Sequence, residues 1–465
     1  MEERGGQIME PLEGTMQETL SSNFISPGLQ RIAAMAREHP ERAFTTLAHH
    51  IDMKLLKEAH YRTRKDGAVG VDGETAEAYA AELEANLQSL LGRFHTGTYR
   101  APPVRRRYIP KADGQKLRPI GIPTFEDKVL QRAVVMVLEA LYEEDFLDCS
   151  FGFRPGRSAH QALQTLWQGT MAMSGGWIIE ADIQSFFDEL DQRQLRGFLD
   201  RRVRDGVLRR VLHKWLKAGV LEEGVIWYPE AGTPQGGVIS PLLANIYLHE
   251  VLDVWFEGEI KPRLRGRSLL IRYADDFVLV FEREADARRV MDVLPKRFGK
   301  FGLRLHPDKT RVVHFVRPTH LRGSGAGESP WPGSFDFLGF THHWGESRKG
   351  GWVVKRRTMK SRFTRAVKAV RLWCRQHRHH PVEAQQKALV QKLRGHHSYY
   401  GITGNSDALA RFHWMVRRIW HKWLGRRSQR GRMSWDRYQL LLDRYPLPPP
   451  RVVHSVYRPL AKSMV

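Results

Sequence analysis

At 465 residues, with 42% hydrophobic and 27% charged positions, the chain is long enough for two to three domains with real cores and has the balance of a globular protein. A formal net charge of +23 calls for a polyanionic partner. Two widely separated cysteines, Cys149 and Cys374, exclude a disulfide framework and paired Cys-x-x-Cys zinc sites; the acidic N-terminus is no signal peptide, and no apolar run approaches the ~18 residues of a membrane span.

Residues 1–25 lack periodicity and read as a mobile tail. Residues 28–60 read as helical, with Leu29, Ile32, Ala33 and Ala36 on one face and Phe44, Leu47, Ile51 and Leu55 further on. A Gly-rich loop at 65–73 precedes a second helical stretch at 75–92. Arg105-Arg106-Arg107-Tyr108-Ile109-Pro110-Lys111 and Lys116-Leu117-Arg118-Pro119-Ile120 are two short strands about the turn Ala112-Asp113-Gly114. Their cations make either a lid over a triphosphate or an exposed basic hairpin. Thr124 to Tyr142 is a helix with a mostly apolar face. In Ser150-Phe151-Gly152-Phe153-Arg154-Pro155-Gly156-Arg157-Ser158, Gly and Pro set a tight turn and Ser158 is placed to cap the helix at 160–172. Arg154 and Arg157 either meet phosphate or fix the loop.

An apolar strand, Trp177-Ile178-Ile179-Glu180-Ala181, ends at Asp182, and Ser185-Phe186-Phe187-Asp188 opens a helical pattern. Residues 192–222 read as helical and basic. In Gly232-Thr233-Pro234-Gln235-Gly236-Gly237 the glycines let backbone approach a base pair closely, and Ser240-Pro241 starts an apolar helix. Ser268-Leu269-Leu270-Ile271 and Phe277-Val278-Leu279-Val280-Phe281 are strands of β-formers, so Ala274-Asp275-Asp276 sits at a hairpin turn. A single Asp there would be an ordinary Asx turn. Two adjacent carboxylates repel and invite a counter-ion. With Asp182 from a strand end they make a divalent-metal site for nucleotidyl transfer. A helix at 284–300 and a Gly/Ser/Pro-rich loop at 317–334 follow. From Thr358 to about 424 the chain is helical, basic and aromatic. Residues 341–465 carry 28 Lys and Arg against 5 Asp and Glu, whereas residues 1–340 carry 46 of each. The whole excess charge lies in the last quarter, ending in a basic stretch from Arg426 and an extended, Pro-rich run at 445–451.

Ala181-Asp182-Ile183-Gln184-Ser185-Phe186-Phe187-Asp188, the block 232–248 and Tyr273-Ala274-Asp275-Asp276, in this order, resemble reverse transcriptases, and most of all those encoded by group II introns. The resemblance covers roughly residues 40–465. It implies an α/β right-hand polymerase: tail 1–25, N-terminal extension and fingers 26–175, palm 176–345, helical thumb or maturase domain 355–425, and a short basic DNA-binding-like segment 426–465. It implies RNA-directed DNA synthesis and help in intron splicing, with intron RNA, target DNA and dNTPs as partners, no membrane, and a cytoplasmic ribonucleoprotein setting. Asp182, Ile183, Asp275 and Asp276 would hold two Mg²⁺ (or Mn²⁺) ions, Asp276 less directly. Arg118, Lys111 (or Lys116, since Gln115 lengthens the turn), Phe187, Gln235 and Lys309 would meet the nucleotide. Phe187 is otherwise a core residue, and Lys309 a surface lysine. Arg154, Arg157, Arg394, His397, Tyr399, Tyr400, Arg426 and Arg427 would meet nucleic acid. Phe335–Phe340 resembles the hairpin that grips the primer end, and Gly395-His396-His397-Ser398-Tyr399-Tyr400-Gly401 the maturase thumb signature. The Cys-rich nuclease domain of many members is not expected here. A reverse transcriptase used in phage defence or spacer acquisition, and an RNA-binding splicing factor without polymerase activity, are the alternatives.

Overall fold

The computed structural model describes residues 26–110, 117–222, 224–228, 232, 236–318, 333–347, 349–428 and 433–456. The tail at 1–25 and most of the loop at 317–334 fall outside them. In chain order the elements are α1 (Pro27–Glu38), α2 (Met53–Arg62), α3 (Ala76–Ala81), α4 (Leu83–His95), β1 (Val104–Pro110), β2 (Leu117–Ile122), α5 (Phe125–Asp145), α6 (Ala159–Ala172), β3 (Trp177–Ala181), β4 (Ile183–Gln184), α7 (Phe186–Glu189), α8 (Gln192–Arg202), α9 (Gly206–Leu216), β5 (Val220–Glu222), β6 (Val225–Trp227), α10 (Ser240–Leu248), β7 (Ser268–Tyr273), β8 (Asp276–Phe281), α11 (Glu284–Lys300), β9 (Arg304–Leu305) and β10 (Arg311–His314). They continue with β11 (Phe335–Phe337), β12 (Phe340–Glu346), β13 (Trp352–Thr358), α12 (Lys360–Gln376), α13 (Val382–Tyr400), α14 (Ser406–Leu424) and α15 (Trp435–Arg444).

The chain divides into two compact units. One contains the described residues up to Ala162 and Trp177–Val312; the other contains Leu163–Gly176 and the described residues from Val313 on. The units cut across the linear boundaries expected at 175 and 345, because residues 163–176 and 313–345 group with the later helices.

In the first unit, α5 is buried nearly all round, through Val129, Leu130, Ala133, Val134, Val137, Leu138 and Leu141. A helix apolar on every face belongs in the middle of a core. Thr124 starts it by accepting from the Asp127 amide at 3.2 Å. Strands β3, β8 and β7 pair antiparallel, with Ala181 opposite Phe277 and Tyr273 opposite Asp276. Phe277 to Phe281 are all buried, so both faces of β8 are covered. The two long helices expected at 28–60 and 192–222 are each broken. Asp205 explains both breaks: its carboxylate caps α9 by accepting from Val207 and Leu208, and also accepts from the amides of Leu47 and Ala48.

In the second unit, β11, β12 and β13 form an antiparallel sheet with a tight turn at Leu338-Gly339. Helices α12 to α15 share a core of Cys374, Leu389, Leu393, Phe412, Val416, Trp420 and Tyr438. The last helix is absent from the sequence reading. It has ten residues, begins on a Ser434 cap and buries only Tyr438 and Leu442, one helical turn apart.

Candidate active site

The β7–β8 hairpin closes on two residues, Ala274 and Asp275, because Tyr273 already pairs with Asp276. Ala274 has φ 57°, a left-handed conformation that a residue with a Cβ adopts at a cost. Arg272 holds it there. This guanidinium is fully buried and forks onto the buried Asp253, Nε to Oδ1 at 2.8 Å and Nη2 to Oδ2 at 2.5 Å. Its Nη1 donates to Asn245 Oδ1 at 2.9 Å and to the Ala274 carbonyl at 3.1 Å. Asn245 in turn donates to the Gly152 carbonyl at 2.7 Å. A Cβ on Gly152 would lie 2.3 Å from the Ala274 nitrogen, so only glycine lets this loop reach the turn. Three sequence blocks, around 152, 245 and 274, thus meet behind the carboxylates. Arg272, Asp253, Asn245 and Gly152 carry this arrangement; the sequence gives Gly152 a place in a tight turn and the other three no role. The available signal was an arginine and an aspartate inside otherwise apolar runs.

In front of the turn, Asp275 is half-buried. Burial and then the nearby Asp182 charge push its carboxyl above the usual range, while Arg118 and Arg272 pull it back. Asp182 follows β3 directly and accepts from Lys309 Nζ at 2.5 Å. Its backbone carbonyl accepts from the His306 amide, which ties the 306–309 turn to the strand end. Asp276 is exposed at the first position of β8. Ile183 is buried in β4 opposite Leu305. The structure therefore sets Asp182 and Arg118 within electrostatic reach of Asp275, and Lys309 against Asp182. Among the described residues, no three His, Cys, Asp or Glu side chains converge as a metal-binding group. Two carboxylates of hard oxygen nonetheless suit Mg²⁺, which uses one or two protein carboxylates and completes its shell with water and substrate phosphate.

Phe186 and Phe187 divide as their exposures require. Phe186 is 3% exposed and faces Tyr247, whereas Phe187 is half-buried, edge-on to Phe186 at 5.3 Å. Gly232 lies against this segment and Gly236 against β2: a Cβ on Gly232 would meet the Phe187 carbonyl at 2.7 Å, and one on Gly236 (φ 116°) the Gly121 carbonyl at 2.5 Å. Two buried amides serve the backbone nearby: Gln192 donates to the Gly232 carbonyl at 2.9 Å, and Gln131 accepts from the Ile239 amide at 3.2 Å. Gln235, Lys111 and Lys116 lie outside the described residues.

Several expected nucleic-acid contacts are instead structural. Arg154 is 6% exposed and donates to the carbonyls of Leu147 and Ser150 and to Glu143, so it fixes its own loop. Arg157 lies over Phe151 and pairs with Asp148. In the second unit, His397 is 5% exposed, and burial lowers its basicity. Tyr399 donates to the Leu338 carbonyl at 2.9 Å, and both Tyr399 and Tyr400 pack on Phe340. The thumb-like signature is thus the support of the 335–346 hairpin, because α13 turns that face inward. Arg427 donates to the carbonyls of Arg378 and His380. Arg394 and Arg426 remain on the surface, Arg426 beside Trp423.

Comparison with known proteins agrees with this geometry. Residues 109–342 match the reverse transcriptase (RNA-dependent DNA polymerase) family. Group II intron-encoded protein LtrA of Lactococcus lactis subsp. cremoris is 34% identical over 305 residues, covering 62% of this chain and 50% of that protein. Protein YkfC of Escherichia coli is 38% identical over 280 residues, 53% of this chain and 72% of its own. Nuclear intron maturase 2, mitochondrial, of Arabidopsis thaliana is 29% identical over 231 residues, 42% of this chain and 30% of its own. The chain spans half the length of the Lactococcus relative. No helix among the described residues is long and apolar enough to cross a membrane. A carboxylate pair at a strand end and hairpin turn, inside a region that matches along half of the chain, places this protein in the reverse transcriptase family.

Proposed function

We propose that this chain is an RNA-directed DNA polymerase that also serves as the maturase of a group II intron. The observation that carries the polymerase reading is the Ala274–Asp275 turn, pinned by Arg272 at the Ala274 carbonyl, with Asp275 within electrostatic reach of Asp182. The reaction joins a primer 3′-hydroxyl to the α-phosphorus of a dNTP and releases pyrophosphate. Asp182 and Asp275, with the Ile183 carbonyl, would hold two Mg²⁺ ions, and Asp276 would act from the outer side. When bound, such ions acidify the attacking hydroxyl and neutralise the leaving pyrophosphate.

The remaining roles belong to the chain's own groups. Lys309, 61% exposed, pairs with Asp182 and would offer its charge to the triphosphate beside it. Arg118 offers a second cation from the exposed β2 position. Phe187 walls the sugar against a 2′-hydroxyl, and Gln235 is the polar side chain that the resemblance brings to the nucleotide. The maturase reading rests on the intron-encoded relatives and on the charge of residues 341–465. Intron RNA, target DNA and a cytoplasmic ribonucleoprotein follow from it.

The test is primer extension by the purified full chain on an RNA template with dNTPs and Mg²⁺, alongside splicing of the intron RNA that flanks its gene. Templated extension and faster splicing are expected. No incorporation with either Mg²⁺ or Mn²⁺ contradicts the polymerase reading; extension without any effect on splicing contradicts the maturase reading alone.

A further inference from the structure

The second unit carries the excess charge, yet most aromatics that stand among its cations in the sequence are occupied. Trp420 is fully buried, and its indole donates to Gln385. Trp373 lies flat against His377 at 4.7 Å, and Trp435, itself 55% exposed, has one face against His421 at 4.0 Å. Tyr399 and Tyr400 support the hairpin. Trp414 differs. It is 50% exposed in the middle of α14, on the side opposite the buried Phe412, Val416, Ile419 and Trp420.

The exposed positions of that side recur at helical spacing: Arg411, Trp414, Arg418 and Lys422. Residues three, four and seven apart share a helix face, so these four form one stripe, roughly 16 Å long at 1.5 Å per residue. The Arg418 guanidinium lies over the Trp414 ring at 4.6 Å, and Arg411 lies over Phe363 at 5.5 Å. Asp407, exposed in the first turn and four residues before Arg411, is the acidic residue of α14 and ends the stripe with one negative charge. Cations in line with a solvent-exposed aromatic ring are the pattern that holds a single nucleic-acid strand: phosphates meet the cations and a base stacks on the ring. A duplex hides its base faces, so the ring selects for an unpaired base.

Resting on the maturase reading above, we propose that the outer stripe of α14 is a contact for single-stranded RNA, in which an unpaired base stacks on Trp414 and Arg411, Arg418 and Lys422 neutralise the flanking phosphates. The surface lies on α14, not on the α13 signature residues that the sequence pointed to.

The test uses the full chain and two labelled probes followed by fluorescence anisotropy across a salt series: a mixed-sequence 20-nucleotide single-stranded RNA and a hairpin RNA of the same length that is paired throughout its stem. Trp414→Ala is expected to weaken the single-strand probe by roughly 5- to 150-fold, the range for losing one stacked base. Its affinity for the duplex probe, its salt slope and its melting temperature should not move, and Trp414→Phe should restore most of the loss. The triple variant Arg411→Gln, Arg418→Gln, Lys422→Gln should flatten the single-strand salt slope by about 2, at about 0.7 per phosphate. Single-strand binding by Trp414→Ala within twofold of wild type overturns the proposal, as does an equal loss on both probes. Either outcome leaves the maturase reading standing if the wild type binds RNA. A wild-type chain that binds neither probe overturns both.

Discussion

Two family-like signatures, Tyr273-Ala274-Asp275-Asp276 and His396-His397-Ser398-Tyr399-Tyr400, look equally functional in the sequence and behave in opposite ways in the fold. In the first, buried charge lies behind the motif and the motif's carboxylates face outward. Arg272 and Asp253 are completely buried, and their whole geometry ends at one backbone carbonyl of the turn. In the second, the motif itself is the buried part. His396 stacks on Phe412 at 3.8 Å, and the two tyrosines brace a hairpin turn. Chemistry that must hold two carboxylates in place needs a rigid backbone, and a fully paired ion network supplies it. Recognition of a polyanion needs exposed cations, which here stand on a neighbouring helix.

That contrast can be broken at several points. The largest effect is expected from Asp182→Asn, which removes one of the two facing carboxylates and leaves Lys309 without its charge partner. Single-turnover DNA synthesis should fall by at least about 10²- to 10³-fold, equivalent to several kcal/mol of lost metal-site stabilisation, while thermal melting stays near wild type. Next is Asp253→Ala, which leaves the Arg272 guanidinium buried without a counter-charge. Denaturant unfolding should show a loss of about 3–5 kcal/mol. A loss below about 1 kcal/mol in that measurement means that the network is not what holds the turn.

A third effect concerns pH. Asp127 is buried and accepts from Trp215, Gln131 and the Tyr99 hydroxyl. Burial raises its carboxyl from 3.8 to about 6, against the pull of those hydrogen bonds. The folded chain therefore holds this proton more tightly than the unfolded chain does. Its contribution to stability is greatest below about pH 4 and is lost as pH rises through about 6, by about 3 kcal/mol at most. Asp127→Asn should flatten that part of the stability–pH curve; an unchanged curve assigns the slope elsewhere. The smallest effect is expected from Phe187→Ala. Opening the wall beside the sugar should raise ribonucleotide use relative to deoxyribonucleotide by on the order of 10-fold in single-turnover incorporation. Unchanged discrimination with lowered stability would identify Phe187 as a packing residue.

Much of the catalytic unit was legible because period and composition speak directly there. The strands flanking Asp275 are unbroken runs of β-formers, and the helix expected at 284–300 is α11, Glu284–Lys300. Ser158 caps the next helix as its position implied, accepting from the Gln161 amide at 3.2 Å. What was not legible depends on distances between remote residues. Arg272 and Asp253 are 19 positions apart, and nothing in either segment says that they meet. Asp205 breaks two separate helical stretches because it serves amides from both, which a local pattern cannot register. His397 is expected from the resemblance to meet nucleic acid, and only the packing of α13 shows it to be inside.

If the carboxylate pair makes DNA while a separate cationic surface holds RNA, the two activities can be separated in one variant. The most direct measurement takes Asp275→Asn, a change in charge but hardly in volume, and follows primer extension and RNA affinity on the same preparation across salt. Extension should be lost. RNA affinity should match wild type, with log K falling against log salt at a slope of roughly −4 to −5 if about six phosphates are neutralised. Wild-type extension, or a loss of RNA affinity in step with the loss of synthesis, would contradict the claim.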